Sequence, residues 1–172
     1  PDTAVVQSRR DALDAFQMLG SDCVVKPIFG GEGRGVMRIR DPELAWTAFS
    51  TLENLGAVCY IQKFVPPGGS DTRLLVIGDK VRGIQRTNLN EFRTNVSSGG
   101  RCQAIDLDHQ QVKMAQTICK DIGLRFASVD LLHFEGGDAK VIEVNAIPGW
   151  RGAQSVTQNR IATEIVQELQ TQ

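Results

Sequence analysis

The 172-residue chain is 41% hydrophobic and carries 19 basic against 20 acidic residues, a formal net charge of −1. That length supports one substantial core or two small lobes, and a charge so close to balance gives no global field to recruit nucleic acid or an anionic membrane. Apolar runs such as CVV and LLVI fall far below the roughly 18 residues that a membrane helix needs, so the chain reads as soluble.

The elements follow in order. Ser8 with Asp11, then Leu13, Phe16 and Leu19 with Gly20 closing, predicts a capped helix. A short strand over 22–26 precedes a glycine-rich turn, and strand character resumes over 36–39. Leu44, Ala45, Ala48, Leu52 and Leu55 recur at helical spacing behind Asp41-Pro42, and 57–64 is apolar and extended. PPGGS at 66–70 is the strongest linker signal, which divides the chain into lobes at 1–65 and 66–172. Beyond it, strands over 72–77 and 80–86 flank the two-residue turn Gly78-Asp79. A polar loop spans 88–100. Asp108 with Gln111, followed by Val112, Ala115, Ile118, Cys119 and Ile122, predicts a boxed helix. Strands over 124–134 and 140–144 flank Gly136-Gly137, and Ile161, Ile165, Val166 and Leu169 mark a last helix. Antiparallel hairpins with interspersed helices predict an α+β fold.

Cys23, Cys59, Cys102 and Cys119 lie far apart in apolar surroundings, without the close pairs that zinc or redox chemistry uses, and read as buried thiols of a reducing, cytoplasmic compartment. The chain opens on Pro1 with no leader of the signal-peptide type, as an excised piece would.

The stretch VIEVNAIPGWRG carries the clearest chemistry. With Gly136-Gly137 as a tight turn, Leu132 faces Val141, Asp130 faces Glu143 and Ser128 faces Asn145. Val129, Leu131, Ile142 and Val144 then form an apolar face, and Asp130, Glu143 and Asn145 cluster on the other. Opposed residues hold their β-carbons about 4.5–5.5 Å apart, where like charges destabilise the sheet. A hard divalent cation would compensate, and magnesium takes carboxylate and amide oxygens while keeping places for phosphate and water. Neighbouring Lys and Arg side chains could neutralise the pair instead.

Two further patterns bear on phosphate. VVKPIFGGEGRGV puts Lys26 in an apolar strand ahead of Gly30, Gly31, Gly33 and Gly35. It is neither a Walker loop nor a Rossmann fingerprint, yet a glycine hairpin can present backbone N–H groups to phosphate oxygens. In the Gly78-Asp79 hairpin Asp71 faces Arg86 and Arg73 faces Ile84, which gathers Asp71, Arg73, Arg86, Arg82 and Lys80 on one face. Such a face is ordinarily solvated, but arginine forks suit phosphoryl and carboxylate groups.

In this order, VVKPIFGGEGRGV, IQKFV, GSDTRLLVIGDKV, FRTNVSSGG, SVDLL and VIEVNAIPG resemble the ATP-grasp superfamily, and within it the RimK-type glutamate ligases. The resemblance implies an ATP-grasp fold that clamps ATP between two α+β lobes, phosphorylates a carboxylate and lets an amine displace the phosphate to form an amide. It implies that Lys26 contacts the α- and β-phosphates under a lid of Gly31, Glu32, Gly33 and Gly35. Gln62, Lys63, Phe64 and Val65 would form the adenine-reading hinge, Asp71 would lie near the ribose or the lid, and Arg93, Thr94 and Asn95 would reach the nucleotide. Asp130, Glu143 and Asn145 would hold two magnesium ions, with manganese as a substitute, and Arg73 and Arg86 would steady the transferred phosphoryl group. The implied partners are an amino acid, glutamate first, and a carboxylate acceptor, either a protein C-terminus or a small molecule of the pterin or deazaflavin kind; a homo-oligomer is compatible. Lys63 stands where these ligases commonly carry an acidic residue, and a preceding domain with its own nucleotide-binding lysine would lie before Pro1. The rival from another class is a nucleotide-binding module without catalysis that serves a partner.

Overall fold

The computed structural model describes residues 1–28, 33–134 and 139–170. The chain folds as two compact units, Pro1–Pro66 and Pro67–Gln172. Among the described residues no helix is long and apolar enough to cross a membrane.

In the first unit, strands β1 (Thr3–Val6), β2 (Cys23–Pro27), β3 (Met37–Ile39) and β4 (Cys59–Lys63) form an antiparallel sheet in the order β1-β4-β2-β3. Helices α1 (Arg9–Met18) and α2 (Pro42–Asn54) cover one face of it. Ser8 caps α1 through the Asp11 N–H, and Asp41 caps α2 through the Leu44 N–H, with Pro42 in the first turn; each satisfies a donor that the helix itself cannot. The core joins Phe16 and Phe49, edge to face with centroids 6.4 Å apart, to Cys23, Val25, Ile39, Cys59 and Ile61. Because strand side chains alternate, Lys26 and Gln62 project from the opposite face.

The second unit is a five-stranded antiparallel sheet, β7-β6-β5-β8-β9, built from β5 (Ser70–Ile77), β6 (Lys80–Thr87), β7 (Arg101–Ile105), β8 (Phe126–His133) and β9 (Ala139–Asn145). Helix α3 (His109–Asp121) packs on one face, where Ala115 and Cys119 meet Leu74, Val76, Ala127, Val129 and Leu131. The other face is covered over part of its area by α4 (Arg151–Ser155) and α5 (Ile161–Gln170), through Ala153 and Ile161 against Leu75, Ile77 and Ile84. The expectation of a solvated polar face therefore fails over that half. Leu75, Ile77 and Ile84 share the face with Asp71, Arg73 and Arg86, and they need apolar cover. Trp150 packs against the same cluster.

Most predicted elements are present, and three that the sequence reading passed over are added: β1, β7 and α4. All are five residues or shorter, so hydrophobic periodicity has too few positions to act on. The Gly78-Asp79 hairpin has its expected register, with Ile77 opposite Lys80 and Asp71 opposite Arg86. In the last hairpin Asp130 opposes Glu143 and Ser128 opposes Asn145 as expected, but Leu131 rather than Leu132 opposes Val141, with a bulge between. Val141 and Val144 both pack toward α3; they are three residues apart, and an extra residue in the strand lets both reach one face. The turn Gly136-Gly137 lies outside the described residues. All four cysteines are free, three of them buried and Cys102 half-buried.

Helix α3 starts on a complete capping box, in which the Asp108 carboxylate takes the Gln111 N–H and the Gln111 side chain takes the Asp108 N–H. Asp108→Ala is expected to cost about 1 kcal/mol, or about 2–4 °C in Tm for a chain of this size. Asp106→Ala, at an exposed position before the cap, should stay within about 0.5 kcal/mol. Equal Tm values for the two variants in thermal melts would contradict the role of the box.

Candidate functional site

In the first unit, Lys26 donates from Nζ to Gln62 Oε1 at 2.8 Å and lies 5.9 Å from the centre of the Tyr60 ring. Gln62 is 4% exposed and gives its own Nε2–H to Thr3 Oγ1 at 3.0 Å. A half-buried ammonium fixed by a buried carboxamide is a positioned charge, unlike a strand lysine that extends to water. Lys63 and Phe64 donate their backbone N–H groups to the Asp2 and Asp22 carbonyls, both at 2.9 Å. Asp22 also takes a fork from Arg38, at 2.7 and 2.6 Å, and that guanidinium lies 3.3 Å above the Phe64 ring. Phe64 and Val65, at the end of the unit, are thereby held and buried. Gly33 and Gly35 have φ of 75° and 73°, which few residues with a β-carbon adopt; Gly31 and Glu32 lie outside the described residues.

In the second unit the cluster is a set of cross-strand charge pairs. Arg73 on β5 directly opposes Asp130 on β8, and Asp71 on β5 directly opposes Arg86 on β6. Arg73 donates Nε–H and Nη2–H to Asp130 Oδ1 and Oδ2 at 2.8 and 2.7 Å. Arg86 donates Nε–H and Nη2–H to Asp71 Oδ1 and Oδ2 at 2.7 and 2.6 Å, and reaches over β5 to Asp130 Oδ2 at 2.8 Å. Asp71, Arg86 and Asp130 are 4%, 5% and 2% exposed. Burial alone would push the Asp130 carboxyl up, but the Arg73 fork and the charges of Arg86 and Arg73 outweigh it and hold the group below the usual carboxylate range. Burial likewise opposes the charge on Arg86, and the hydrogen bonds it donates to Asp71 with the charges of Asp130 and Asp71 raise its basicity nevertheless.

This geometry corrects one expectation. The closeness of Asp130 to Glu143 needs no metal to be tolerable, because two arginines already compensate Asp130. Glu143 is exposed, and among the described residues its one hydrogen bond is a long 3.4 Å contact from Asn145 Nδ2. Asn145 Oδ1 accepts the Ile147 N–H at 3.2 Å. Among the described residues no group of three or more His, Cys, Asp or Glu side chains gathers around a point that could hold a metal. The oxygens nevertheless fit magnesium: a carboxylate offers about four lone-pair directions, three of those on Asp130 take arginine N–H groups, and Glu143 with Asn145 keeps open acceptors beside them. Three carboxylates, Asp71, Asp130 and Glu143, stand against two guanidinium groups, Arg73 and Arg86.

Two loops frame the cluster. Thr94 is buried and donates Oγ1–H to Asp71 Oδ2. Its loop is held by Asn88, whose Nδ2 donates to the Arg93 and Ser98 carbonyls at 2.9 Å each and whose Oδ1 takes the Asn90 N–H. A β-carbon on Gly100 would fall 2.0 Å from the Thr94 carbonyl oxygen, so only glycine lets the loop close this tightly. Arg93 turns to Glu91, and Asn95 leads into a 3-10 turn over Val96–Ser98. On the other side, Arg73 Nη1 donates to the Gly149 carbonyl at 3.2 Å. Helix α4, which follows, lies close against β7 because Gly152 has no side chain: a β-carbon there would sit 2.6 Å from Cys102 Sγ. Sequence reading missed Asn88, Gly149 and Gly152. The first carries a detectable signal, since Asn-x-Asn in a polar loop favours an Asx turn; the other two act through backbone and have none.

Comparisons with known proteins bear on this arrangement. The RimK-like ATP-grasp domain matches residues 1–169. The chain is 35% identical to a probable alpha-L-glutamate ligase of Rhodopirellula baltica, over 100% of this chain and 43% of that protein. It is 31% identical to a tetrahydromethanopterin:alpha-L-glutamate ligase of Methanococcus maripaludis, over 98% of this chain and 59% of that one. The chain thus spans about half the length of the curated relatives it matches. Among solved structures, the ATP-grasp ligase PsnB complexed with minimal precursor aligns at a TM-score of 0.76 and 21% identity, over 99% of this chain and 54% of that chain. D-cycloserine synthetase DcsG aligns at 0.71 and 21%, over 97% and 63%. At such identities the solved structures speak for the fold alone. With two antiparallel sheets under packed helices and a match through residue 169, the chain belongs to the RimK-like ATP-grasp family.

Proposed function

We propose that this chain is the nucleotide- and metal-binding part of an ATP-dependent carboxylate–amine ligase, with glutamate as the amine. The observation that carries the reading is the pair of guanidinium groups, Arg73 and Arg86, locked around Asp130 with Glu143 and Asn145 open beside them. Fixed donors next to free oxygens suit a phosphoryl group that arrives with its metal. The names of the curated relatives support glutamate, and the solved PsnB structure with magnesium and ADP supports the cofactor pair for that protein.

In this reading Asp130, Glu143 and Asn145 hold magnesium, which when bound neutralises charge on the transferring phosphoryl group. Lys26 holds the α- and β-phosphates at a position fixed by Gln62. Arg86 binds the γ-phosphoryl group of ATP, and Arg73 keeps the acceptor carboxylate in line and draws off charge as that carboxylate takes the phosphoryl group and ADP leaves. The amine then attacks the acyl carbon, gives up a proton and displaces phosphate. No side chain acts as nucleophile, so the rate comes from positioning and from preorganised charge. The acceptor is a carboxylate on a small molecule or on a peptide. The first has the tetrahydromethanopterin ligase as its precedent, and the second a peptide-bound ATP-grasp ligase.

Magnesium with ATP is expected to raise the Tm of this chain, since a ligand at about 100 times its Kd adds about 2.7 kcal/mol to the folded state. Glu143→Gln should lose most of that increase; a wild-type chain with the same Tm with and without magnesium–ATP would count against the site. In the second measurement, phosphate release that depends on both glutamate and an acceptor separates ligase from non-catalytic binder, with peptide and pterin-type carboxylates as the two arms. Arg73→Lys keeps the charge but loses the fork. It is expected to slow that release by at least about tenfold, as the loss of one positioned donor does, with little change in nucleotide Kd.

A further inference from the structure

We propose that Asp71 is a positioning residue that aims Arg86 and ties the 88–100 loop to the sheet, and that it makes no contact with nucleotide. The inference rests on the phosphoryl-binding role proposed for Arg86.

The resemblance implies a carboxylate near the ribose or the lid at this position. A ribose contact requires an acceptor lone pair that a ligand can reach. Asp71 is 4% exposed, and its two oxygens take three donors: Arg86 Nε–H on Oδ1, and Arg86 Nη2–H and Thr94 Oγ1–H on Oδ2. Every one of those donors belongs to the second unit. Asp130 is as buried and takes as many donors, but the acceptors of Glu143 and Asn145 lie beside it, whereas the groups bonded to Asp71 act only as donors.

What it does there follows from the fork it receives. Arg86 sits between two carboxylates, Asp71 across the β5–β6 ladder and Asp130 one strand further on. Asp71 takes Nε and shares Nη2 with Asp130, so the guanidinium plane is fixed on one edge. Nη1 makes no hydrogen bond among the described residues, and it is not among the buried polar atoms without a partner. It is the nitrogen left to meet an anion. Without Asp71 the guanidinium would be held only through Nη2, and its plane could swing toward Asp130; a long side chain aimed by two fixed bonds loses less freedom when it binds. The same carboxylate carries Thr94, whose loop is closed by Gly100 and Asn88, so the orientation of Arg86 and the seating of the loop are set by one group.

A double-mutant cycle in magnesium–ATP affinity, read by displacement of a fluorescent ATP analogue, tests this with Asp71→Asn, Arg86→Lys and the pair. Asp71→Asn is expected to weaken binding about tenfold beside Arg86 and less than about twofold beside Lys, as coupled sites do. Equal weakening in both backgrounds would mean a direct nucleotide contact and overturn the proposal. The arginine Nε–H resonance lost in Arg86→Lys gives a readout without ligand: slow exchange in the wild type and fast exchange in Asp71→Asn support positioning, whereas slow exchange in both overturns it. If the wild type binds no magnesium–ATP, the proposed function fails and this resonance still decides the role of Asp71. Should Asp71→Asn not fold, Thr94→Val removes one donor and no charge. It is expected to speed amide exchange across residues 88–100 while the Arg86 resonance stays slow, and loop amides that exchange as in the wild type would overturn the coupling.

Discussion

Asp130 is a carboxylate with 2% exposure in the middle of a β-sheet, and it stays charged because two guanidinium groups meet it there. Removing either partner from such a set leaves an uncompensated buried charge, at a cost of about 3–5 kcal/mol. The arrangement is therefore demanding of the fold. It needs β5 to be central, with an arginine and an aspartate two positions apart, and it needs β6 and β8 on either side with the opposite charge at the opposing position. The strand order β7-β6-β5-β8-β9 supplies that.

The same face of the sheet does two jobs along its length. At one end Leu75, Ile77 and Ile84 are covered by α4 and α5; at the other the charges lie with Glu143 and Asn145 beside them. The apolar end anchors α4, whose approach depends on Gly152, and the segment just before α4 brings the Gly149 carbonyl to Arg73. Packing at one end thus helps to orient a donor at the other. The bulge in β9 serves a related need, since it lets Val141 and Val144 both face α3 while Glu143 stays opposite Asp130.

Much of this was legible in residues whose local signals are strong. The Asp108–Gln111 box and the Gly78-Asp79 turn follow from short-range rules that the structure obeys, whereas Asp130 opposes Glu143 only because a bulge offsets a one-residue shift from the expected register on the turn side. The short strands β1 and β7 and the one-turn α4 were not legible, because four or five residues carry no period and their formation depends on a neighbour that sequence does not display. Charge is where sequence left the answer open. It places Asp130 beside Glu143 and allows either a cation or basic neighbours, but the arginine that answers lies 57 residues away on β5 and a second lies 44 residues away on β6. A hairpin register finds like-charge neighbours but not the counter-charges that arrive from other strands. For Asp71 the hairpin register does name the counter-charge, Arg86, but not Thr94, which arrives from the 88–100 loop.

The central claim is that the Arg73 and Arg86 charges outweigh the burial of Asp130 and keep it ionised without help from a metal. A side-chain carboxyl NMR titration of Asp130, in this chain free of magnesium, tests it most directly. A folded-state value below the ordinary 3.8 means that the ionised group stabilises the fold above that pH, with the stabilisation lost as pH falls through the lowered value. The account predicts a midpoint below 3.8 that moves up when Arg73 is replaced by methionine. A midpoint at or above 3.8, indifferent to that replacement, would contradict it.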